Sequence, residues 1–154
     1  MSVAFRRESD EEHLEPKFEM PIPPGPNLVT ARGLALIEAK VAALETAIAA
    51  APEAERDPLR RELRYWNTRR ATAALAPPPA YDEVGFGSSV TIAHAGGERT
   101  VQIVGSDEAD PASGRIGFQA PLARALLGAQ AGERVDFNGK AEAIEVIRIE
   151  PRAD

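Results

Sequence analysis

The chain has 154 residues, 44% of them hydrophobic, enough for one or two small domains with a modest buried core. It contains no cysteine, which excludes disulfides, thiolate nucleophiles and cysteine zinc sites and suits a reducing compartment. The formal charge of −6 argues against a general grip on nucleic-acid phosphates. The N-terminus lacks a signal-peptide pattern, and no stretch approaches the roughly 20 apolar residues of a membrane span, so the expectation is a cytoplasmic protein without a membrane partner.

Charge varies along the chain. Residues 1–28 carry 3 basic and 6 acidic side chains, residues 29–76 carry 8 and 6, and residues 77–154 carry 7 and 12. The first segment ends in MPIPPGPN, where four prolines remove backbone donors and favour extended backbone. Residues 1–28 read as a flexible acidic, proline-rich tail.

From Thr30 the pattern becomes helical. Leu34, Ile37, Val41, Leu44 and Ile48 recur at spacings of three and four, the apolar seam of a coiled coil or helical hairpin. Asn27 or Thr30 is positioned to cap this helix and Pro52 to end it. A second helix is expected to begin near Pro58, with a seam through Leu59, Leu63, Trp66 and Ala73 and its arginines mostly off that seam. The short connection, Pro52 to Asp57, requires antiparallel arms, and neither arm can bury its seam alone. Residues 29–76 are therefore expected to form a helical hairpin and residues 77–85, beginning in the PPPAY run, a linker.

Beyond the linker the period drops toward two. SSVTIAH, GERTVQIVG, GRIGFQA, ERVDF and AEAIEVIRIE read as five short strands, with turns at Gly96-Gly97, in DPASG and at Asn138-Gly139. PLARALL reads as one short helix, with Pro121 in its first turn and Gly128 closing it. The fold class is α+β: an N-terminal antiparallel helical hairpin followed, over residues 86–154, by an antiparallel sheet with one short helix on its face.

Few motifs carry chemistry. DEAD at residues 107–110 invites a helicase reading, but no phosphate-cradling glycine-rich loop with its lysine occurs, and an acidic run after a strand and before Pro111 reads as an exposed loop. His13 and His94 lack ligand spacing. Glu53, Glu55 and Asp57 cluster between the two helices. Three carboxylates at such a tip can help a partner's active site hold Mg²⁺, and they are equally the ordinary solvated turn of a hairpin.

The stretches FGSSVTI (86–92) and IVGSDEADPASGRIGFQAPLARALLG (103–128) resemble the bacterial Gre transcript-cleavage factors, GreA and GreB, in several blocks that recur in order. VTARGLALIEAKVAALE is similar to that family's opening helix and RRELRYWNTRRATAAL to the end of its returning one. The resemblance implies a C-terminal domain of FKBP-like topology and a partner, bacterial RNA polymerase. On that resemblance the hairpin is expected to enter the polymerase's secondary channel while the C-terminal domain docks at the rim, so that contact with RNA and DNA is indirect. The polymerase is then the enzyme. This chain supplies no catalyst or cofactor of its own, and any Mg²⁺ is shared with the polymerase active site.

On the same resemblance, polymerase docking is expected to use Asp107, Glu108, Gln119, Pro121, Leu122 and Arg124. Ala120 replaces the family's usual serine, removing a helix cap worth about 1 kcal/mol. The family's tip signature has no counterpart in residues 29–76. Aligning both ends leaves the hairpin short by roughly 16 residues, on the order of 12 Å of reach at about 1.5 Å per residue. In this respect the chain resembles the short-coil relative Rnk, and the expected role is modulation of elongation without efficient cleavage, with a working cleavage factor as the alternative. An FKBP-like topology also raises prolyl isomerisation, although Tyr81, Phe86, Phe118 and Phe137 offer little aromatic lining for it.

Overall fold

The computed structural model describes residues 19–151; residues 1–18, which hold most of the expected tail, and residues 152–154 lie outside the described residues. Helix α1 spans Ala31–Ala50 and α2 spans Arg56–Thr72, joined by a 3₁₀ turn at Glu53–Glu55. Thr30 starts α1: its backbone is extended, and its hydroxyl accepts the Gly33 N–H at 2.9 Å, satisfying a donor that has no partner within the helix. Ala51 returns to extended backbone immediately before Pro52 and ends it. Ile37, Val41 and Leu44 of the expected seam are buried, with Gly33 in line below them.

The second helix begins two residues before Pro58, because the 3₁₀ turn feeds directly into it. Pro58 is still within the first turn, where its missing N–H costs nothing. Leu59, Leu63 and Trp66 are half-buried, and α2 packs against α1. Lys40 of α1 places its ammonium 5.7 Å from the Trp66 ring centroid, and Tyr65 meets Trp66 edge-on at 5.0 Å. Arg69 departs from the expected outward-facing arginines. It is buried, 3% exposed, at the base of the hairpin.

Two-residue strands β1 (Leu28–Val29) and β2 (Ala74–Leu75) pair in parallel and tie both ends of the hairpin together. The bonds run from the Ala74 N–H to the Asn27 carbonyl and from the Ala76 N–H to that of Val29. Asn27 and Leu28, the last residues of the expected tail, thus belong to the folded base, where Asn27 is buried and Leu28 pairs with Ala74.

The second sheet contains β3 (Ser88–His94), β4 (Gly97–Val104), β5 (Arg115–Gly117), β6 (Arg134–Phe137) and β7 (Lys140–Pro151), in the order β5-β4-β3-β7-β6. It is mixed rather than purely antiparallel. β5 runs parallel to β4, because residues 105–114 carry the chain back before it re-enters beside β4. The β3–β4 turn centres on Ala95-Gly96, both at positive φ, one residue earlier than expected; Asn138-Gly139 turns as expected. One face of the sheet and helix α3 (Pro121–Leu126) enclose the core, in which Val90, Ile92, Ile103, Leu126, Ile144 and Val146 are almost fully inaccessible. At the usual value per unit area, each such side chain contributes about 1.5–3 kcal/mol.

Candidate functional site

Only the second half of the DEAD segment, Ala109 and Asp110, is exposed. Asp107 and Glu108 turn inward and clamp the sheet to the base of the hairpin. Asp107 accepts the Arg69 Nε–H at 2.6 Å and the Tyr65 hydroxyl at 2.5 Å, and its side chain is only 7% exposed. Arg69 also donates to Asn27 Oδ1 at 2.8 Å, while Asn27 Nδ2 donates to the Arg69 carbonyl and the Thr72 hydroxyl, closing the end of α2. Burial, then the bond to Asp107, pushes the Tyr65 phenol up to about 12.

Glu108 is used as fully. Its Oε1 accepts the Thr30 hydroxyl at 2.6 Å and its Oε2 faces Arg32 at 3.0 Å, with Arg115 3.9 Å away. Thr30 therefore accepts from Gly33 as a helix cap and donates to Glu108 as a bridge, both through one hydroxyl. Two glycines permit this closeness. A Cβ on Gly33 would lie 2.8 Å from Glu108 Oε1, and one on Gly105 would lie 2.3 Å from the Leu28 carbonyl oxygen. Among the six residues expected at a docking face, Asp107 and Glu108 thus hold the frame together instead of facing outward.

The other four lie together around α3. Gln119, Pro121 and Arg124 are exposed and Leu122 is half-buried. Pro121 opens the helix, and Ala120 at its N-cap makes no side-chain bond. Leu126 fills the core and Leu122 packs against its edge. Leu127 is 38% exposed because it caps the helix in extended backbone and leaves its periodicity. Beside α3 a groove of about 600 Å³ is bounded by Ile116, Ala120, Pro121, Leu122 and Phe137 on its apolar side and by His94, Glu98 and Arg99 on the other. Phe86 and Phe118 stack edge-on at 5.5 Å against the core, away from this groove, and Tyr81 stands 81% exposed. Its one aromatic carbocycle is Phe137, edge-on to the His94 imidazole at 5.6 Å.

At the far end of the hairpin the acidic tip pairs with its own arginines. Glu53 accepts from Arg56 at 3.0 Å and lies 3.9 Å from Arg60, which bonds Asp57 at 3.1 Å. Arg56 also donates to the Ala51 carbonyl, tying the turn to the end of α1. Glu53 and Asp57 remain 77% and 74% exposed, a geometry in which ion pairs are weak, and Arg60 lies between them. Among the described residues no three acidic or histidine side chains converge as metal ligands, so Glu53, Glu55 and Asp57 do not form a preassembled Mg²⁺ site. Among those residues, too, no helix is long and apolar enough to cross a membrane.

These features define a two-part α+β chain, a helical hairpin with an acidic tip, clamped at its base to a mixed-sheet domain with an apolar groove beside α3. The sheet part identifies it. The family model described as "Transcription elongation factor, GreA/GreB, C-term" matches residues 78–151, just under half of the chain, so the sheet part is a GreA/GreB C-terminal domain. It is 40% identical over 73 residues to transcription elongation factor GreA of Mesorhizobium japonicum, covering 45% of this chain and 46% of that one. Against transcription elongation factor GreB of Neisseria meningitidis it is 38% identical over 97 residues, 58% and 59% of the two chains. The chain therefore spans about half the length of the curated relatives it matches.

Similar solved structures include a GreA/GreB elongation factor from Nitrosomonas europaea, with TM-score 0.40 and 21% identity over 79% of this chain and 97% of that one. Another is the GreA factor homologue Gfh1 of Thermus thermophilus, with TM-score 0.38 and 16% identity over 82% and 99%.

Proposed function

We propose that this chain is an elongation-factor-like protein that binds bacterial RNA polymerase at the secondary channel and modulates elongation without efficient transcript cleavage. The sheet domain, of FKBP-like topology, docks at the channel rim through Gln119, Pro121, Leu122 and Arg124. The hairpin points inward, and its contact with RNA and DNA is indirect.

The GreA/GreB C-terminal domain and the likeness to GreA and GreB elongation factors support the partner and the general role. The tip carries the more specific part of the reading. Two of its three carboxylates, Glu53 and Asp57, pair with Arg56 and Arg60; the three do not converge as metal ligands, and they sit at the junction of helices of 20 and 17 residues, roughly 30 and 26 Å long. A transcript-cleaving tip has to bring carboxylates to a metal in the polymerase centre, where an error of about 1 Å already costs much of the rate. A short tip with most of its acids already paired instead fills part of a channel.

Docking is tested by pull-down on core polymerase. Pro121→Ala together with Arg124→Ala should lower affinity by about tenfold or more, the loss expected when central interface groups are truncated. Unchanged affinity would remove α3 from the docking face.

A further inference from the structure

Residues 19–26 run along the hairpin flank toward α3, and their attachments fall into two classes. At the base, Asn27 is buried and bonded to Arg69 and Thr72, and Leu28 and Val29 are in the β1–β2 ladder. Before Gly25 the contacts are all on the surface. Glu19 takes both of its carboxylate oxygens to Arg64 of α2, at 2.7 and 2.8 Å, with each side chain 56% exposed. The Pro24 carbonyl accepts the Gln119 Nε2–H at 3.1 Å, also exposed. Met20 and Ile22, between these contacts, are 36% and 46% exposed.

Gly25 separates the two classes. Its φ of +87° suits glycine, and the Gln119 amide nitrogen lies 2.5 Å from where a Cβ would be. The strongly held base and the weakly held segment thus meet at a residue able to turn.

We infer that residues 19–26 form a displaceable, self-inhibitory strap, closed over Gln119 beside the docking helix and over Arg64 on the hairpin, which a partner seated on α3 must lift. Lifting it at Gly25 breaks the Glu19–Arg64 pair and converts a neutral spot on the hairpin flank into an open cation. Docking at one end of the molecule is thereby linked to charge on the element that projects from the other. The inference rests on the proposed docking at α3 for its partner, but the strap itself is a property of the isolated chain. Exposed ion pairs contribute little and are screened by salt, so closure has to be weak and sensitive to ionic strength.

The chain contains no cysteine, so spin labels at Met20→Cys and Thr68→Cys report the strap-to-α2 distance without background. In the isolated chain at low ionic strength one narrow distance is expected, broadened by added salt and by Glu19→Gln. With core polymerase bound, the narrow distance should disappear, and Glu19→Gln should tighten binding by about twofold or more, the scale of a weak surface pair. A distance that stays narrow in Glu19→Gln, or in the polymerase complex, overturns the strap. If neither the parent chain nor Glu19→Gln binds polymerase, the polymerase reading fails instead, and the distances in the isolated chain still decide the strap.

Discussion

Replacing Asp107 with alanine removes the carboxylate that joins the sheet to the hairpin. Arg69, 3% exposed, then keeps Asn27 Oδ1 as an acceptor but loses its counter-ion, and the Tyr65 hydroxyl loses its acceptor. Breaking one partner of a buried pair costs about 3–5 kcal/mol, against a total stability of about 5–15 kcal/mol for a protein of this kind. Urea unfolding followed by far-ultraviolet circular dichroism at neutral pH should show that loss as a lowered midpoint. Removing both charges with Asp107→Ala and Arg69→Met leaves no orphaned ion, so the double variant should cost clearly less than the sum of the two single changes. Tyr65→Phe, which deletes one bond to a charged acceptor, should cost about 1.5–3 kcal/mol. An Asp107→Ala chain within about 0.5 kcal/mol of the parent, the range of ordinary surface changes, would refute the clamp, as would strict additivity in the cycle.

Other outcomes follow from the same contacts. Because the Tyr65 phenol is raised from 10.0 to about 12 by burial and by Asp107, its contribution is intact below pH 10 and is lost as pH rises through about 12. Alkaline titration of stability should show that loss, and Tyr65→Phe should abolish it. Gly105→Ala places a methyl 2.3 Å from the Leu28 carbonyl, a backbone atom no rotamer change can move aside, so thermal unfolding should report a cost of about 1–3 kcal/mol or more. At the tip, Glu53→Gln with Asp57→Asn should leave polymerase affinity unchanged, and Mg²⁺ titration of the parent chain should give no saturable shift in the amide resonances of residues 53–57.

Local pattern and tertiary contact divide what the sequence made legible. The α1 seam, the Thr30 cap, the position of Pro121 and the Asn138-Gly139 turn each depend on residues within a few positions of one another, and they stand where expected. Five strands were readable for the same reason, because alternation reports which residues face a core. Strand direction was not. Whether β5 joins β4 parallel or antiparallel depends on the path of residues 105–114, and that path turns on Asp107 and Glu108 reaching partners 38 to 78 positions away.

The misread site residues have the same cause. Asp107 and Glu108 lie in a polar stretch before a proline, which looks solvated until Thr30, Arg32, Tyr65 and Arg69 are brought to it. One signal was present in the sequence: Gly33, placed where a helix former would serve better, marks a close approach. Arg69 was taken for a surface arginine because periodicity alone cannot distinguish a basic face from a buried cation with a distant counter-ion. Gln119, Pro121, Leu122 and Arg124 stand close together because they are consecutive or nearly so, and a short helix gathers them with little help from the rest of the fold.

The claim that matters most is that this chain occupies the polymerase channel without supplying a cleavage tip. RNA cleavage in a purified, backtracked elongation complex with Mg²⁺ tests it most directly, with this chain alone and in competition with a full-length Gre factor. No shortening of the RNA by this chain, together with suppression of the full-length factor's cleavage, is the predicted result. Shortening that disappears when Glu53, Glu55 and Asp57 are neutralised would contradict it, because the paired, short tip would then have reached the active centre.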